Sequence, residues 1–297
     1  MASVADCEEP SLKLADRADY QAALRALDEK LPQVAALKYE RMLQDKTLTR
    51  TDASKLGARL ADSLTRSGQA GKLLITLDLF EIPEAQFWKS QALLLQGKYR
   101  EAEGALREYL AGVAPAYESL ARLALGKVLI AEGREGTGRK EFRDLVENCD
   151  PVIARQAQLW MAESEVISGR SEVVLHRLEN SDRDDAQMEF IRADALIQKG
   201  DGRSAELILR KMLGDDHKLS HRLHDGVVVR LAQAFEAQGR LRAAEKLLQR
   251  FIKETETSPF FDQAFAALDR VKSAEEGDTV TKFANMAAAK DASERRA

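Results

Sequence analysis

Three of the four histidines in the chain are clustered near its C-terminal third. His217, His221 and His224 have the spacing i, i+4, i+7, and Asp225 follows directly. If this segment is helical, the three imidazoles share one face, which is a geometry that suits zinc or nickel. A metal-binding module around these histidines is therefore one hypothesis, and a solvated connection between helices is the other. We favour the connection and predict no metal site and no cofactor.

Other chemistry finds little support in the sequence. Residues 133–140, GREGTGRK, are rich in glycine, but Arg139 stands where a phosphate-binding loop has lysine followed by serine or threonine. Cys7 and Cys149 have no histidine close in sequence, and no Gly-x-Ser-x-Gly element is present. The sequence therefore predicts a protein that is not an enzyme.

The clearest pattern is a glycine that recurs after amphipathic segments at intervals of 29 to 39 residues. The glycines are Gly68, Gly97, Gly133, Gly169, Gly200 and Gly239. Seven residues earlier the side chain is always small: Ala61, Ser90, Gly126, Ala162, Ala193 and Ala232. Nine residues later it is always large and apolar: Leu77, Leu106, Phe142, Leu178, Leu209 and Leu248.

This pattern predicts antiparallel helix hairpins. A glycine ends the first helix of each hairpin in a left-handed conformation, the small residue lets the two axes approach, and the large residue fills the groove between them. Each hairpin leaves an apolar face uncovered, so the hairpins must stack on one another.

Two segments of the chain resemble the tetratricopeptide repeat. From Phe87-Trp88 through Gly97-Lys98-Tyr99 to Ala102 and Leu106, the chain has the order small, glycine, tyrosine, alanine, large apolar of that family. Residues 231–251 are similar. The resemblance implies an all-α fold, a right-handed α-solenoid of about six such hairpins with helical caps.

Five parts of the chain are expected from these patterns. Residues 1–15 are predicted to be a flexible leader, 16–50 N-terminal capping helices, 51–257 the solenoid, 258–272 a C-terminal capping helix, and 273–297 a frayed helix or disordered tail. In the last cap, Ser258 is the expected N-cap and Pro259 the first helical residue.

The resemblance also implies where a partner binds. Ligands of the family usually lie in a concave groove lined by the first helix of each hairpin, at positions ten, six and three residues before the glycine. The position six residues before is polar in every repeat of this chain. The predicted groove residues are Phe87, Gln91, Leu94, Lys127, Ile130, Glu163, Phe190, Asp194 and Gln233.

Two alternatives qualify this groove. The apolar positions would also suit packing between adjoining helices, and Trp88 and Trp160 are predicted to be packing residues. Of the basic and asparagine residues with which chaperone-binding members of the family hold a terminal carboxylate, only Lys55 and Lys127 are candidates, so chaperone tails are disfavoured.

Composition restricts the partner. The chain has 45 Lys and Arg against 49 Asp and Glu, for a net charge of −4, so no strong field selects nucleic acid, and no apolar run is long enough to span a bilayer. We therefore expect a protein or peptide partner, with homo-oligomers through the repeat faces or tail as an option.

The predicted function is a non-catalytic bacterial scaffold or adaptor; the alternative is a periplasmic component of cell-envelope assembly or secretion. The start of the sequence favours a cytoplasmic location, or a periplasmic one if Met1 replaces a cleaved signal peptide.

Overall fold

The computed structural model describes residues 14–113, 115–180, 185–214, 219–255, 257–275 and 277, and within them every regular element is helical. The helices are α1 (Ala18–Asp28), α2 (Pro32–Leu43), α3 (Arg50–Arg66), α4 (Ala70–Leu79), α5 (Ala85–Leu95), α6 (Tyr99–Leu110), α7 (Glu118–Ala131), α8 (Glu135–Asn148), α9 (Pro151–Ile167), α10 (Ser171–Arg177), α11 (Ala186–Lys199), α12 (Gly202–Gly214), α13 (His221–Ala237), α14 (Leu241–Glu254) and α15 (261–275). Short 3-10 helices cover Leu14–Asp16 and Leu178–Asn180. Residues 1–13 of the predicted leader and 278–297 of the predicted tail lie outside the described residues.

The glycine turns join the helices into hairpins. All six recurring glycines have left-handed φ angles, between 70° and 88°. At each turn the N–H of the residue after the glycine donates to a carbonyl five residues back, as from Gln69 to Leu64 at 2.9 Å. The other five bonds run from Lys98 to Leu93, Arg134 to Leu129, Arg170 to Glu165, Asp201 to Leu196 and Arg240 to Phe235, at 2.8 to 2.9 Å. The predicted left-handed helix ends are confirmed, and these bonds satisfy carbonyls that a helix end otherwise leaves unpaired.

A further turn of the same kind closes the hairpin of α1 and α2 without a glycine. Lys30 takes the left-handed conformation, with φ of 60°, and Leu31 donates its N–H to Ala26 at 2.7 Å. A residue with a Cβ pays about 1 kcal/mol or more for this conformation. Glycine spacing therefore could not reveal this hairpin turn.

Side-chain polar groups begin several helices. Thr49 Oγ1 accepts the Asp52 N–H at 3.1 Å before α3, and Asp150 Oδ1 accepts the Val152 N–H at 3.0 Å before α9. Ser258 Oγ accepts the N–H of Phe260 at 3.2 Å, but residues 259–260 form a turn and α15 starts at 261. The prediction that this helix begins at Pro259 was therefore wrong by two residues.

The predicted contact positions of the hairpins are buried. The small residues seven before each glycine are all buried, and so are the large residues nine after it, except Leu77, which is half-buried. In the third hairpin the pair differs in size from the others: Phe142 packs so closely on Gly126 that a Cβ there would lie 2.4 Å from Phe142 Cε1.

The chain divides into two compact units, residues 1–158 (unit 1) and 159–297 (unit 2), and the division falls within α9. In unit 1 each helix from α1 to α8 packs on the next one, and in unit 2 the same holds from α10 to α14. Because these contacts follow the order of the chain, each unit is an α-solenoid. In the described part of the chain, no helix combines the length and the apolar character needed to cross a bilayer.

Ion pairs join successive hairpins inside each unit. Glu103 on α6 accepts from Arg107, four residues on, and from Arg134, which directly follows the next hairpin glycine, both at 2.8 Å. Glu206 on α12 repeats this arrangement with Arg210 and Arg240, again at 2.8 Å. Each carboxylate therefore links the second helix of one hairpin to the turn of the next one.

Candidate protein-binding surfaces

The unit 1 cavity is lined by the first helices of the hairpins and by the turn before α7. It encloses about 710 Å³, and its lining residues belong to α1, α3, α5, α7, α9 and the turn before α7. The residues are Tyr20, Lys55, Ala58, Arg59, Asp62, Thr65, Arg66, Phe87, Trp88, Gln91, Tyr117, Leu120, Leu123, Ala124, Lys127 and Gln156. The contact between α3 and α5 brings two of these first helices side by side.

Aromatic rings from separate helices form one side of this cavity. Phe87 stacks on Tyr117 with ring centroids 4.8 Å apart, and Trp88 meets Phe87 edge-on at 5.0 Å and Tyr117 at 5.4 Å. Tyr109 extends the cluster from behind, 5.7 Å from Phe87, and its hydroxyl accepts the N–H of Tyr117 at 2.8 Å. These contacts fix the rings in place. Phe87 and Trp88 are 4% and 5% exposed, so the apolar surface that the cavity presents comes mainly from the half-buried Tyr117 and from Leu120.

Basic side chains also line the unit 1 cavity. Lys55 and Arg59 are exposed, four residues apart on α3, and neither forms an ion pair with a described residue. Lys127 lies on α7, and Arg66 is neutralised by Asp62 at 2.9 Å. Because Asp62 is the one acidic residue in the described lining, the cavity carries an excess of positive charge.

The unit 2 cavity repeats the architecture with different charges. It encloses about 660 Å³ and is lined by α9, α11, α13, α15 and the residues that precede α13 and α15. Its lining comprises Leu159, Trp160, Glu163, Val166, Ile167, Gln187, Phe190, Ile191, Asp194, Ser220, Arg222, Leu223, Arg230, Phe260 and Gln263. Trp160 is 39% exposed and Ile167 74% exposed, so apolar surface is open on the α9 side.

Arg230 organises the polar side of the unit 2 cavity. It donates to the carboxylate of Asp194 and, at 2.8 Å, to the amide oxygen of Gln263, while its guanidinium lies 5.8 Å from the Phe190 ring centre. Burial raises the pKa of the Asp194 carboxyl, although the charge of Arg230 and its hydrogen bond oppose this shift. Through these two hydrogen-bond partners, Arg230 of α13 links α11 and α15 within unit 2.

The structure distributes the predicted groove residues over three settings. Phe87, Gln91 and Lys127 line the unit 1 cavity, and Glu163, Phe190 and Asp194 line the unit 2 cavity. Leu94, Ile130 and Gln233 line neither. Leu94 packs against the core of unit 1, and Ile130 lies beside Gly138 of α8. The two tryptophans also differ, because Trp88 is 5% exposed within its ring cluster whereas Trp160 is 39% exposed.

Sequence reasoning missed the aromatic and basic grouping in unit 1. Tyr20, Arg59 and Tyr117 were not among the predicted residues, although all three line the cavity. The spacing of Lys55 and Arg59 was a signal for one shared helix face. The stacking of Phe87 on Tyr117 had no local signal, because Phe87 lies on α5 and Tyr117 in the turn before α7.

The histidine segment is only partly described. His217 lies outside the described residues, while His221 and His224 begin α13 behind the N-cap Ser220. His224 Nδ1 is 3.6 Å from Asp225 Oδ1. Among the described side chains, no group of three histidine, cysteine or acidic residues is arranged to hold a metal ion.

Comparison with known proteins bears on the fold. No protein-family model matches the chain, and no curated protein does. Among solved structures the chain is similar to a tetratricopeptide repeat protein from Parabacteroides merdae, with a TM-score of 0.61, 12% identity, and coverage of 86% of this chain and 97% of that chain. At this identity the similarity concerns the fold, and together with the hairpin geometry it confirms the predicted all-α solenoid: the chain has a tetratricopeptide-repeat-like fold.

Proposed function

We propose that this protein is a non-catalytic scaffold that binds a segment of another protein along the first helices of its hairpins. One observation carries the proposal: each unit has a cavity that is lined by the first helices of its hairpins, in unit 2 also by α15, and by residues that directly precede these helices. The positions six and ten residues before the glycine supply lining residues to both cavities. A repeated surface of this kind suits a ligand that is itself an extended chain.

The lining provides the contacts that an extended segment needs. The side-chain amide of Gln91 can both donate to and accept from a peptide main chain, and Gln187 lines the unit 2 cavity. Apolar neighbours such as Phe87 and Phe190 lie one turn before a polar position of the same helix. A bound segment would therefore place its backbone on the polar positions and its side chains between them.

Selection from a library of short random peptides, displayed on phage and presented to the full chain, tests this function. Peptides that are enriched are labelled and their affinities measured by fluorescence anisotropy. Gln91→Trp and Gln187→Trp fill the unit 1 and unit 2 cavities, so one or the other should weaken each peptide by about tenfold or more. The matched controls are Glu108→Trp and Lys211→Trp, which add the same side chain at exposed positions of second helices.

The proposal fails if no peptide is enriched. It also fails if the peptides lose affinity with the two control variants and keep it with the two cavity variants, since the binding surface would then be formed by second helices.

A further inference from the structure

The charge of the unit 1 cavity contrasts with the charge of the whole protein. The chain has a net charge of −4, yet the cavity collects Lys55, Arg59 and Arg66 against the single carboxylate of Asp62. Lys55 and Arg59 are like charges one turn apart on α3, an arrangement that destabilises a helix. Helix stability therefore does not account for this pair, whereas attraction of an anionic group does.

The unit 2 cavity supplies an internal comparison. Its basic residues Arg222 and Arg230 are matched by the acidic residues Glu163 and Asp194, and Arg230 is bonded to Asp194. The two cavities use equivalent helix positions, but only the unit 1 cavity has surplus positive charge. A preference for an acidic ligand is therefore expected in unit 1 and not in unit 2.

The apolar part of the unit 1 cavity defines the second requirement. The rings of Phe87, Trp88 and Tyr117 lie within 5.4 Å of one another, and Leu120, which is 39% exposed, also lines the cavity. Phe87 and Trp88 are buried, so a ligand ring would meet the half-buried Tyr117, in an edge-on or offset position. A ligand that satisfies both features has carboxylates for the basic side chains and a ring for the aromatic ones.

We propose that the unit 1 cavity binds an acidic polypeptide segment in which an aromatic side chain is flanked by aspartate or glutamate. This inference rests on the proposed function and adds the chemistry of the partner. A polypeptide is favoured over a nucleic acid because a long polyanion that extended beyond the cavity would meet a chain of net negative charge.

The two tryptophans make the test specific for each cavity. They are the only tryptophans in the sequence, and Trp88 lines the unit 1 cavity while Trp160 lines the unit 2 cavity. In Trp160→Phe the emission reports on unit 1, and in Trp88→Phe it reports on unit 2. The probe is the set of peptides selected on the full chain from a random library without tryptophan, with amidated C-termini so that only side-chain carboxylates are read.

Peptides that change the emission of Trp88 should be rich in Asp and Glu around a Phe or Tyr. Their affinity should fall by about tenfold or more in Lys55→Glu/Arg59→Glu and should also weaken as salt is added. The matched control is Lys89→Glu/Arg41→Glu, which changes the same charges at exposed positions outside the cavity and should leave the affinity within about twofold. Thermal melts followed by circular dichroism establish that both variants are folded.

Three results would overturn the inference. The first is a set of Trp88-reporting peptides without acidic enrichment, and the second is an equal loss of affinity in the two double variants. The third is a short oligothymidylate that changes Trp88 emission when the acidic peptides do not. If peptides bind but show no acidic preference, the scaffold function stands and this inference alone is rejected; if no peptide is enriched, the scaffold function is rejected too.

Discussion

In the hairpin of α7 and α8, a smaller residue, Gly126, packs against a larger one, Phe142, than in the other hairpins that have the recurring glycine. The other five hairpins have alanine or serine and leucine at these positions, whereas this hairpin has no side chain on one helix and a phenyl ring on the other. The ring occupies the space where a Cβ of residue 126 would be, 2.4 Å from Phe142 Cε1. The missing side chain at Gly126 therefore compensates for the larger ring of Phe142, and each residue requires the other.

Gly126→Ala should destabilise the protein by about 1–3 kcal/mol, because the new methyl group overlaps a fully buried ring. In the background of Phe142→Leu, the same change should be neutral or stabilising by up to about 1 kcal/mol, since alanine favours the helix more than glycine does. The measurement is a double-mutant cycle of urea unfolding free energies. An equal cost of Gly126→Ala in both backgrounds would contradict this compensation.

For single residues, the sequence predicted a backbone conformation where one residue type strongly favours it. The six glycines were identified because a left-handed helix end favours glycine strongly. Lys30 was not identified, although it has the same conformation, because its side chain tolerates the strain and leaves no mark in the composition. Residue identity thus reveals a turn only where the sequence uses the favoured residue.

Between elements, the two Glu–Arg junctions link one hairpin to the next. Burial alone would raise the pKa of Glu206, but hydrogen bonds from Gln238, Arg210 and Arg240 outweigh it and lower the pKa to about 2. Glu103 has the corresponding arginines, Arg107 and Arg134, and its pKa is lowered as well, against the effect of burial. The charged forms of both carboxylates are therefore stabilised in the folded state.

The contribution of Glu206 to stability should depend on pH. Its pKa is about 2 in the folded protein against an ordinary value of 4.5, so the folded state binds the proton more weakly than the unfolded state does. The extra stability is present above about pH 4.5 and is lost as the pH falls through about 2. The urea midpoint of the wild type should thus exceed that of Glu206→Gln at neutral pH, and the difference should shrink below about pH 4.5.

Glu245→Gln is the control for this titration. Glu245 has the same register in the last hairpin but accepts from Gln249, at 2.8 Å, in place of the arginine pair. A loss of stability with the same pH dependence in this variant would show that the arginines of the junction are not responsible.

The junctions were present in the sequence but were not recognised. Glutamate stands six residues after Gly97 and Gly200, and arginine directly after Gly133 and Gly239. Glutamate also stands six residues after Gly239, at Glu245, and arginine directly after Gly169, at Arg170. Neither position is constant over the six repeats, so a search for positions shared by all repeats passes over the junctions. The structure added the information that the second helix of one repeat faces the turn of the next repeat. This arrangement pairs the glutamate of one repeat with the arginine of the next.

For the whole chain, the repeat pattern predicted the succession of hairpins and the first helices as the elements that line the cavities. It did not predict which side chains give each cavity its charge and its aromatic surface. Polar positions six residues before the glycines line a cavity in five of six repeats. Gln233 is the exception among the described cavities. The aromatic grouping in unit 1 depends on α5 packing against the turn before α7, and the charge balance in unit 2 depends on Arg230 reaching Asp194. Such differences between repeats arise from tertiary contacts rather than from the period.

The two units should respond differently to a quencher in solution. Trp88 is 5% exposed and Trp160 is 39% exposed, so acrylamide should quench Trp88→Phe, in which Trp160 emits, more than Trp160→Phe. The emission of Trp160→Phe should also lie at shorter wavelength because the Trp88 indole is surrounded by rings. Steady-state spectra and Stern–Volmer slopes provide the measurement, and equal slopes would contradict the described burial.

The repeated Glu–Arg junction also makes parts of this chain interchangeable. Because Glu103 and Glu206 occupy the same place in their hairpins, and Arg134 and Arg240 the same place after theirs, the hairpin of α5 and α6 can be followed by that of α13 and α14 with its ionic link retained. Shortened or reordered forms of the protein that are joined at these points would keep this ion pair from native sequence.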